Sequence, residues 1–234
     1  MSQKIFSAIL CACAALAPIA VAKPANLLVH TDVDCKLSID GKAKGIVTTH
    51  SPLRVSLPAG EHKLEAVDIV SGARWADTLK ANGQAGQEFA IPLRAAVTRE
   101  ELKKGYWTDP DTGLMWAAAD NGSAIIYTRA DFYCRNLTLG GFKDWTLPAI
   151  EDLSKLFGGP ANAGGFHTAT PIKLTGWEWS STTGKEPGEQ WALDFGDGGR
   201  ASAVTGDSGF NRALCVRRAK SGRLCSSRRF CSAP

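Results

Sequence analysis

Thiols are the most reactive side chains in this sequence, and their spacing favours disulfide bonds over metal binding. Five cysteines follow residue 22, and they are Cys35, Cys134, Cys215, Cys225 and Cys231. No two of them form a Cys-x-x-Cys pair, and the histidines form no His-x-x-x-His pair, so we predict no metal site. Because five is an odd number, one thiol is left over or pairs with another chain.

The sequence leaves two pairings of the last cysteines open. Cys225 and Cys231 are close enough in sequence to close a small loop, which would leave Cys35 over. Cys35 could equally pair with one of these two cysteines. The number and spacing of the thiols do not decide between the two patterns.

The sequence contains no motif typical of an enzyme active site. Gly-x-Ser-x-Gly, glycine-rich phosphate-binding and His-Glu-x-x-His motifs are all absent. A cysteine nucleophile would have to be Cys35, which lies in a segment predicted to be a β-sandwich. We therefore expect a protein without catalytic activity and without a cofactor.

Tryptophan and arginine side chains near predicted loops are the candidate ligand-binding residues. A tryptophan ring offers an apolar face that can stack on a sugar, and its N–H can donate a hydrogen bond. Trp177 and Trp191 are the candidates of this kind, and Arg200 and Arg212 could bind the sulfate or carboxylate of an anionic glycan. Arginine that is simply solvated at the surface is the competing interpretation. Three other tryptophans are expected in the core: Trp116, Trp145 and Trp179.

Three aspartates lie in the loop-rich last third of the chain, namely Asp194, Asp197 and Asp207. Three carboxylates could supply oxygen ligands for Ca²⁺, but the spacing is not that of an EF-hand loop. Asp-Gly pairs are typical of hairpin turns, so we predict a turn and keep Asp194 as a possible ligand contact. Whether calcium binds is left open by the sequence.

Residues 1–22 have the pattern of a secretory signal peptide. A basic residue precedes an apolar run at 5–19, and Ala20-Val21-Ala22 is a small-x-small cleavage site. Cleavage after Ala22 would place the protein in the periplasm or outside the cell, where disulfides persist. A lipoprotein attached through Cys13 is the alternative. We predict no membrane span after the signal is removed.

The positive charge is concentrated at the end of the chain. The sequence has 27 basic and 23 acidic side chains, which gives a net charge of +4. Residues 219–234 contain four basic side chains and no acidic one, so the preceding parts are close to neutral. Because nucleic-acid binding needs a basic surface, we predict no nucleic-acid partner. The basic tail could instead contact anionic lipid or polysaccharide of the envelope.

Residues 23–94 alternate apolar and polar side chains in short runs, which is typical of half-buried strands. Turn residues separate these runs at a spacing of about ten residues, which favours an all-β sandwich. Asp40-Gly41 predicts a hairpin, and Pro58-Ala59-Gly60 predicts a tight turn. The predicted strands cover residues 26–30, 35–39, 53–57, 62–67, 75–79 and 89–93.

The order of these turn residues resembles that of the PEGA domain. The resemblance rests on the segments Cys35 to Gly41, Ser51 to Leu53 and Pro58 to His62, with Gly45 between the first two. It implies a small β-sandwich related to immunoglobulin-like or transthyretin-like folds. PEGA-like units are extracytoplasmic modules, and the resemblance implies no catalytic role.

A linker with a short helix is predicted at residues 95–105. Thr98 and Glu101 have the spacing of a capping box, in which Thr98 precedes the helix and Glu101 occupies its third position. The helix would end at Gly105. We place the domain boundary in this segment.

Residues 106–218 show a mixed α+β pattern and contain six of the chain's seven tryptophans. Asp109 to Gly113 predicts a turn between two strands. Thr128 is predicted to cap a helix that runs to Leu139, and a second helix is predicted over Ile150–Phe157. Further strands are predicted near residues 177–182, 190–196, 200–205 and 212–218.

Several separated motifs follow one another within residues 106–218. They are Gly113-Leu-Met-Trp116, Tyr133-Cys134, Leu139-Gly-Gly-Phe142, Asp144-Trp145, Leu147-Pro148, Trp179-Ser-Ser-Thr182 and Cys215-Val-Arg217. In this order they resemble the Lcl C-terminal domain family, also called DUF1566. The resemblance implies a C-type-lectin-like fold, with two short helices packed on small antiparallel sheets. Members of this family are commonly secreted or surface proteins, and some bind glycans.

The resemblance also bears on single positions. It places Cys134 and Cys215 at the family's cysteine positions, which implies a disulfide between the first helix and the last strand. Two buried thiols are the alternative. Two positions depart from the family pattern, because Thr146 stands where arginine is usual and Trp177 where a smaller residue or tyrosine is usual.

Together these features predict a secreted or periplasmic, non-catalytic binding protein. Its lectin-like domain would recognise a glycan or a protein of the cell envelope. One alternative is an envelope scaffold that docks a partner through the PEGA-like domain, the basic tail or Cys35. Another is an oxidase-like enzyme of the formylglycine-generating type, a family that shares the wider lectin-like fold and uses active-site cysteines.

Overall fold

The computed structural model describes residues 25–84, 86–207 and 209–218. They form two compact units, of which the first holds residues 25–66 and 76–91 and the second holds 67–75 and 92–218. The predicted signal peptide and the basic tail with Cys225 and Cys231 lie outside the described residues. Within the described ranges, no helix is both long and apolar enough to cross a membrane.

Seven strands precede the first helix. They are β1 (Ala25–Thr31), β2 (Cys35–Ile39), β3 (Lys42–Val47), β4 (Leu53–Leu57), β5 (Gly60–Asp68), β6 (Arg74–Ala81) and β7 (Gln87–Ile91). Six of them overlap the predicted strands. β3 was missed because most of its side chains are exposed, so its sequence has no apolar alternation.

The strands of the first unit form two sheets. In one, β1 lies between β4, to which it is antiparallel, and β7, to which it is parallel. The other has the order β3-β2-β5-β6. Both sheets contribute buried side chains, among them Leu27, Val29, Leu37, Ile39 and Leu64. The predicted hairpin is confirmed, since Asp40 (φ 52°) and Gly41 (φ 73°) form the left-handed turn between β2 and β3.

His62 on β5 is a buried histidine with an acceptor at each ring nitrogen. Nδ1 lies 2.7 Å from Oδ2 of Asp40, and Nε2 lies 2.9 Å from the carbonyl oxygen of Pro58. Neither partner can donate a hydrogen bond, so both contacts are satisfied only when both nitrogens carry a proton. The hydrogen bond to Asp40, supported by the one to Pro58, raises the pKa of His62 above its usual value.

Replacing His62 by glutamine should lower the Tm by a few degrees at pH 6 and by less at pH 9. Because the folded-state pKa is raised, the stabilisation is complete below the unfolded-state pKa of about 6.5 and is lost as the pH rises through the folded-state value. Thermal unfolding at the two pH values measures this, with the exposed His50→Gln as the control. An equal loss at both pH values would contradict a charged His62.

The second unit adds three helices and nine strands. They are α1 (Arg94–Lys103), β8 (Tyr106–Thr108), β9 (Leu114–Ala117), α2 (Tyr127–Asn136), α3 (Ile150–Leu156), β10 (Phe157–Ala161), β11 (His167–Thr168), β12 (Trp177–Thr183), β13 (Glu189–Leu193), β14 (Arg200–Val204), β15 (Asn211–Arg212) and β16 (Val216–Arg218). They form small sheets with the orders β16-β9-β8, β14-β13-β12-β15 and β10-β11. The α+β class predicted for this part is confirmed.

The core of the second unit is rich in aromatic side chains. The largest fully buried ones are Trp116, Trp145, Trp179, Tyr106 and Phe195. α2 contributes Ala130 and Cys134 to this core, and α3 contributes its apolar face. The three tryptophans expected in the core are therefore found there.

The capping box predicted for α1 is wrong. The helix begins at Arg94, so Thr98 lies inside it, and Leu93 precedes it without a side-chain cap. Leu93 and Val97 are both buried one helical turn apart, and this packing starts the helix earlier. Glu101 accepts hydrogen bonds from the amide (2.9 Å) and the hydroxyl (2.6 Å) of Thr108 instead of capping the helix.

The bounds predicted for α2 are also wrong. α2 follows Ile126, which makes no side-chain cap, and ends at Asn136. The chain leaves the helix early because Leu139 and Phe142 exchange two backbone hydrogen bonds of 3.0 Å across the Gly140-Gly141 turn. Glycine is required at position 140, where φ is 61° and a Cβ would lie 2.5 Å from the Tyr106 ring.

The prediction for the remaining helix is confirmed, whereas the prediction for the last strand is wrong. α3 ends at Leu156, one residue before the predicted end, so that prediction is confirmed. The single strand predicted at 212–218 is two strands in different sheets, β15 and β16. The three residues between them are all buried, which an alternating strand on one sheet does not allow.

Candidate functional site

A groove of about 480 Å³ opens on the second unit beside α3, β12 and β16. Its floor consists of buried apolar side chains, which are Leu114, Leu147, Pro148 and Val216. Its polar lining residues are Asp144, Thr146, Asp152, Ser181 and Arg218. A concave site with an apolar floor and a few polar groups is typical of small-ligand binding.

Backbone hydrogen bonds hold both walls of the groove. On one side, the amide of Thr146 donates to the carbonyl of Val216 at 2.8 Å, and the amide of Val216 donates back at 2.9 Å. On the other side, the amide and the hydroxyl of Ser181 both donate to the carbonyl of Pro148, at 2.7 and 3.1 Å. The shape of the groove is therefore preformed by the chain.

Two charged groups of the groove are only loosely paired. Asp152 Oδ1 lies 3.4 Å from Lys155 Nζ, and its Oδ2 lies 3.6 Å from Arg218 Nη2. The Arg218 side chain is 80% exposed. The Asp152 side chain is only 14% exposed, so the exposed Arg218 is the partner that can readily exchange its long ion pair for a ligand.

Asp144, by contrast, is held in an ion pair with Arg217. Its two oxygens accept hydrogen bonds from Nε (2.7 Å) and Nη2 (3.2 Å) of Arg217. The Arg217 guanidinium is buried and lies 4.0 Å from the centre of the Phe142 ring. This bidentate pair fixes the rim of the groove next to β16.

The groove can therefore offer an acceptor at Asp152, donors at Arg218, and hydroxyls at Thr146 and Ser181. These groups can bind and orient a polar ligand by hydrogen bonds. In the parts of the chain that the structure describes, no three histidine, cysteine or acidic side chains are grouped to hold a metal ion.

A disulfide joins Cys134 on α2 to Cys215, as predicted. Both cysteines are fully buried. Cys215 lies just before β16, so the bond connects α2 to the segment between β15 and β16 and not to a strand. It closes a loop with a sequence separation of 81 residues that includes part of the groove.

The motifs noted in the sequence thus build the aromatic core, the disulfide and the walls of the groove. Residues 105–217 match the family model of the Lcl C-terminal domain. The family predicted for this segment is confirmed, and we call the segment the Lcl domain below. No curated protein sequence matches the chain.

The two candidate tryptophans of the Lcl domain are half-buried and pack against its core. Trp191 lies in the middle of β13 opposite Ser202, and the Lys185 ammonium lies 5.6 Å from the centre of its ring. Trp177 begins β12 and donates its backbone N–H to the carbonyl of Phe210 at 3.3 Å. Neither tryptophan lines the groove.

Asp194 lies in the hairpin between β13 and β14. Its Oδ1 accepts a hydrogen bond from the amide of Gly196 at 2.6 Å, and Asp197 does the same for Gly199 at 2.7 Å. Asp207 accepts the amide of Gly209 at 3.0 Å in another turn. The turn predicted at Asp194 and Asp197 is therefore found, and Asp207 has the same kind of contact although no turn was predicted there.

The two candidate arginines lie at separate places. Arg200 Nη1 is 3.8 Å from Glu151 Oε1, and both side chains are exposed. Arg212 on β15 donates from Nε to the hydroxyl of Thr175 at 3.3 Å and from Nη1 to the carbonyl of Phe210 at 3.1 Å.

The sheet register separates the predicted ligand residues. Leu193 pairs with Arg200, so Trp191, which is two residues before Leu193, lies on the same face as Arg200. Glu178 also pairs with Leu193, which places the neighbouring Trp177 on the opposite face. The five predicted residues therefore do not form one site, and none of them lines the groove.

The groove residues were missed because they come from four separate segments of the chain. Thr146 was noted only as a departure from the family pattern, and it lies on the groove. Leu147-Pro148 was noted as a helix entrance. A signal for the groove was available in the run Asp144 to Asp152, in which polar residues lie on both sides of the buried pair Leu147-Pro148.

Cys35 lies on β2 in the first unit. Its side chain is fully buried, and its Sγ lies 3.7 Å from the hydroxyl of Thr31. A disulfide to another chain at this position would require the first unit to open. The structure therefore does not favour Cys35 as a docking point.

Proposed function

We propose that this chain is an extracytoplasmic, non-catalytic binding protein that holds a glycan in the groove of its Lcl domain. The observation that carries the proposal is the preformed groove, with its apolar floor and its loosely paired polar groups. We infer further that the Lcl domain has a C-type-lectin-like fold. Its short helices and small sheets support this inference.

The polar groups of the groove match the chemistry of a sugar. A sugar hydroxyl both donates and accepts hydrogen bonds. Asp152 can accept from it and Arg218 can donate to it. The hydroxyls of Thr146 and Ser181 can accept from it, because their own protons are donated to the carbonyls of Val216 (3.4 Å) and Pro148 (3.1 Å). The buried side chains of Leu114 and Val216 would lie under the apolar C–H face of the ring.

The size of the groove favours a glycan over an envelope protein. Sites for small ligands typically have volumes of about 300–1,000 Å³, and this groove has about 480 Å³. A stable protein partner needs about 800 Å² of contact on each side. An envelope protein would have to contact surface beyond the groove to reach that area.

The disulfide supports a location outside the cytoplasm. Cys134–Cys215 would be reduced in most cytosols but persists in the periplasm or after secretion. The signal-peptide pattern at residues 1–22 agrees with this location. In our proposal the peptide is cleaved after Ala22, and the first unit is a PEGA-like module that serves as a spacer. The two sheets of that unit support the assignment.

A glycan array probed with the full mature chain tests the proposal. It should carry neutral and anionic bacterial glycans, and we expect binding to at least one class. Asp152→Asn keeps the shape of the side chain but removes the charge, and it should weaken the signal on that class. Capture of envelope protein with no glycan bound would contradict the proposal.

The matched control is Asp131→Asn. Asp131 is also a helical aspartate paired with a basic residue of its own helix, since it lies 2.8 Å from Arg135 Nε. It is on α2, away from the groove lining. Loss of binding in both variants would point to a general charge effect and not to the groove.

A further inference from the structure

A second cavity, of about 400 Å³, opens on the Lcl domain beside the turn between β8 and β9 and the end of α3. Its buried apolar lining comes from Trp107 and Leu156. Exposed side chains surround it, among them Asp111, Lys155 and Ala169. Its volume lies within the range typical of small-ligand sites, and its lining combines apolar and polar groups as that of the groove does.

Hydrogen bonds within the turn hold the shape of the second cavity. Asp109 accepts the amide of Asp111 at Oδ1 (3.0 Å) and the hydroxyl of Thr112 at Oδ2 (2.5 Å). The Asp109 amide donates to the carbonyl of Leu114 at 2.9 Å and closes the turn. The Asp109 carboxylate is therefore used within the protein, and this part of the lining is preformed.

Two charged groups at the rim of the second cavity are available to a ligand. Asp111 is exposed, and its carboxylate has no hydrogen-bond or ion-pair partner among the residues that the structure describes. The Lys155 side chain is 57% exposed, and its ammonium lies 3.4 Å from Asp152 Oδ1 in a long ion pair. Asp111 can therefore accept a hydrogen bond from a sugar hydroxyl, and Lys155 can donate one.

The second cavity and the groove are neighbours. Lys155 lines the second cavity and Asp152 lines the groove, three residues apart on α3. Thr112 and Leu114 join the two in the same way, since the amide of Leu114 in the groove donates to the hydroxyl of Thr112 in the second cavity at 3.3 Å. Side chains three residues apart on a helix are separated by about 5–6 Å, so linked sugar rings can reach both cavities.

We propose that the groove and the second cavity form one site for an uncharged oligosaccharide of at least two sugar units. This inference rests on the glycan-binding function proposed above. The groove offers a cation at Arg218 and a carboxylate at Asp152, and the second cavity offers the same pair at Lys155 and Asp111. A neutral chain finds donors and acceptors in both cavities, whereas a polyanion meets an acidic side chain in each.

The length and the charge of the ligand test this proposal. Isothermal titration of the full mature chain should use fragments of one to four units of N-acetylglucosamine, glucose and mannose polymers, with oligogalacturonate as the anionic series. We expect at least one neutral series to bind, with a Kd about tenfold lower or more for two units than for one. The reason is that the second unit adds a hydrogen bond to a charged group. Oligogalacturonate of equal length should bind more weakly.

Two variants locate the second unit. Ala169→Leu fills the second cavity from its exposed rim and leaves the ion pair of Asp152 and Lys155 in place. It should raise the Kd of the two-unit fragment to that of one unit. Lys155→Gln should weaken the binding of two units more than that of one, because the lost donor belongs to the second cavity.

The matched control is Lys103→Gln. Lys103 is also an exposed helical lysine, and its ammonium lies 2.7 Å from an acidic residue three positions earlier, Glu100. It is on α1 and lines neither cavity. The Kd values of this variant should equal those of wild type for every fragment length.

Three results would overturn the proposal and leave glycan binding in the groove standing. Equal Kd values for one unit and for longer fragments would confine the ligand to the groove. A gain with length that persists in Ala169→Leu would place the second unit elsewhere. Tighter binding of oligogalacturonate would contradict an uncharged ligand. Binding of none of the four series would overturn this proposal and the proposed function together.

Discussion

Replacing both Cys134 and Cys215 by alanine is expected to lower the free energy of unfolding of the Lcl domain by about 4 kcal/mol. The bond closes a loop with a sequence separation of 81 residues, and removing it gives the unfolded chain much more freedom. A loss of this size is a large fraction of the stability of a typical domain. The variant should therefore be partly unfolded at temperatures at which wild type is folded.

Urea unfolding followed by tryptophan fluorescence measures this effect, because six of the seven tryptophans lie in residues 106–218. The control is a reductant, which should lower the stability of wild type much more than that of the double variant. Equal stabilities of wild type and variant under oxidising conditions would show that the bond does not hold the domain together.

Replacing Trp179 by alanine should destabilise the Lcl domain by about 3–5 kcal/mol. Trp179 is fully buried, and its ring contacts Tyr127 edge-on with ring centres 5.8 Å apart. Its indole N–H donates to the carbonyl of Ile125 at 2.8 Å. The substitution removes one of the largest side chains of the core and leaves the Ile125 carbonyl without its hydrogen-bond donor.

Two other variants separate packing from the hydrogen bond. Trp179→Phe retains much of the ring and should lose about 1–3 kcal/mol, mainly from the unsatisfied carbonyl. Trp191→Ala removes a half-buried tryptophan of the same domain and should cost less than Trp179→Ala. If the two alanine variants were equally destabilised, the burial difference between these tryptophans would not explain their roles.

The strands and the core could be predicted from the sequence because they follow local patterns. Alternation gave the strands of the first unit, and Asp40-Gly41 gave the hairpin. β3 could not be predicted, because its side chains face solvent on most positions. The start of α1 could not be predicted either, since the burial of Leu93 and Val97 outweighs the local capping signal of Thr98.

The groove depends on contacts between residues that are distant in sequence. Thr146 and Val216 are 70 residues apart and meet through a backbone pair that no local pattern encodes. The Lcl resemblance did predict the Cys134–Cys215 bond, because that bond accompanies the family's motifs. Trp191 looked accessible in the sequence because it is near a loop, but it is half-buried in the middle of β13, and the Lys185 ammonium lies 5.6 Å from the centre of its ring.

The most direct test of the groove is the affinity for the glycan that gives the strongest array signal. Isothermal titration with that glycan should compare wild type, Asp152→Asn and the control Asp131→Asn. We predict that Asp152→Asn raises the Kd by about tenfold or more, which corresponds to one lost hydrogen bond to a charged group. Asp131→Asn should leave the Kd unchanged. An unchanged Kd in Asp152→Asn would contradict binding in the groove.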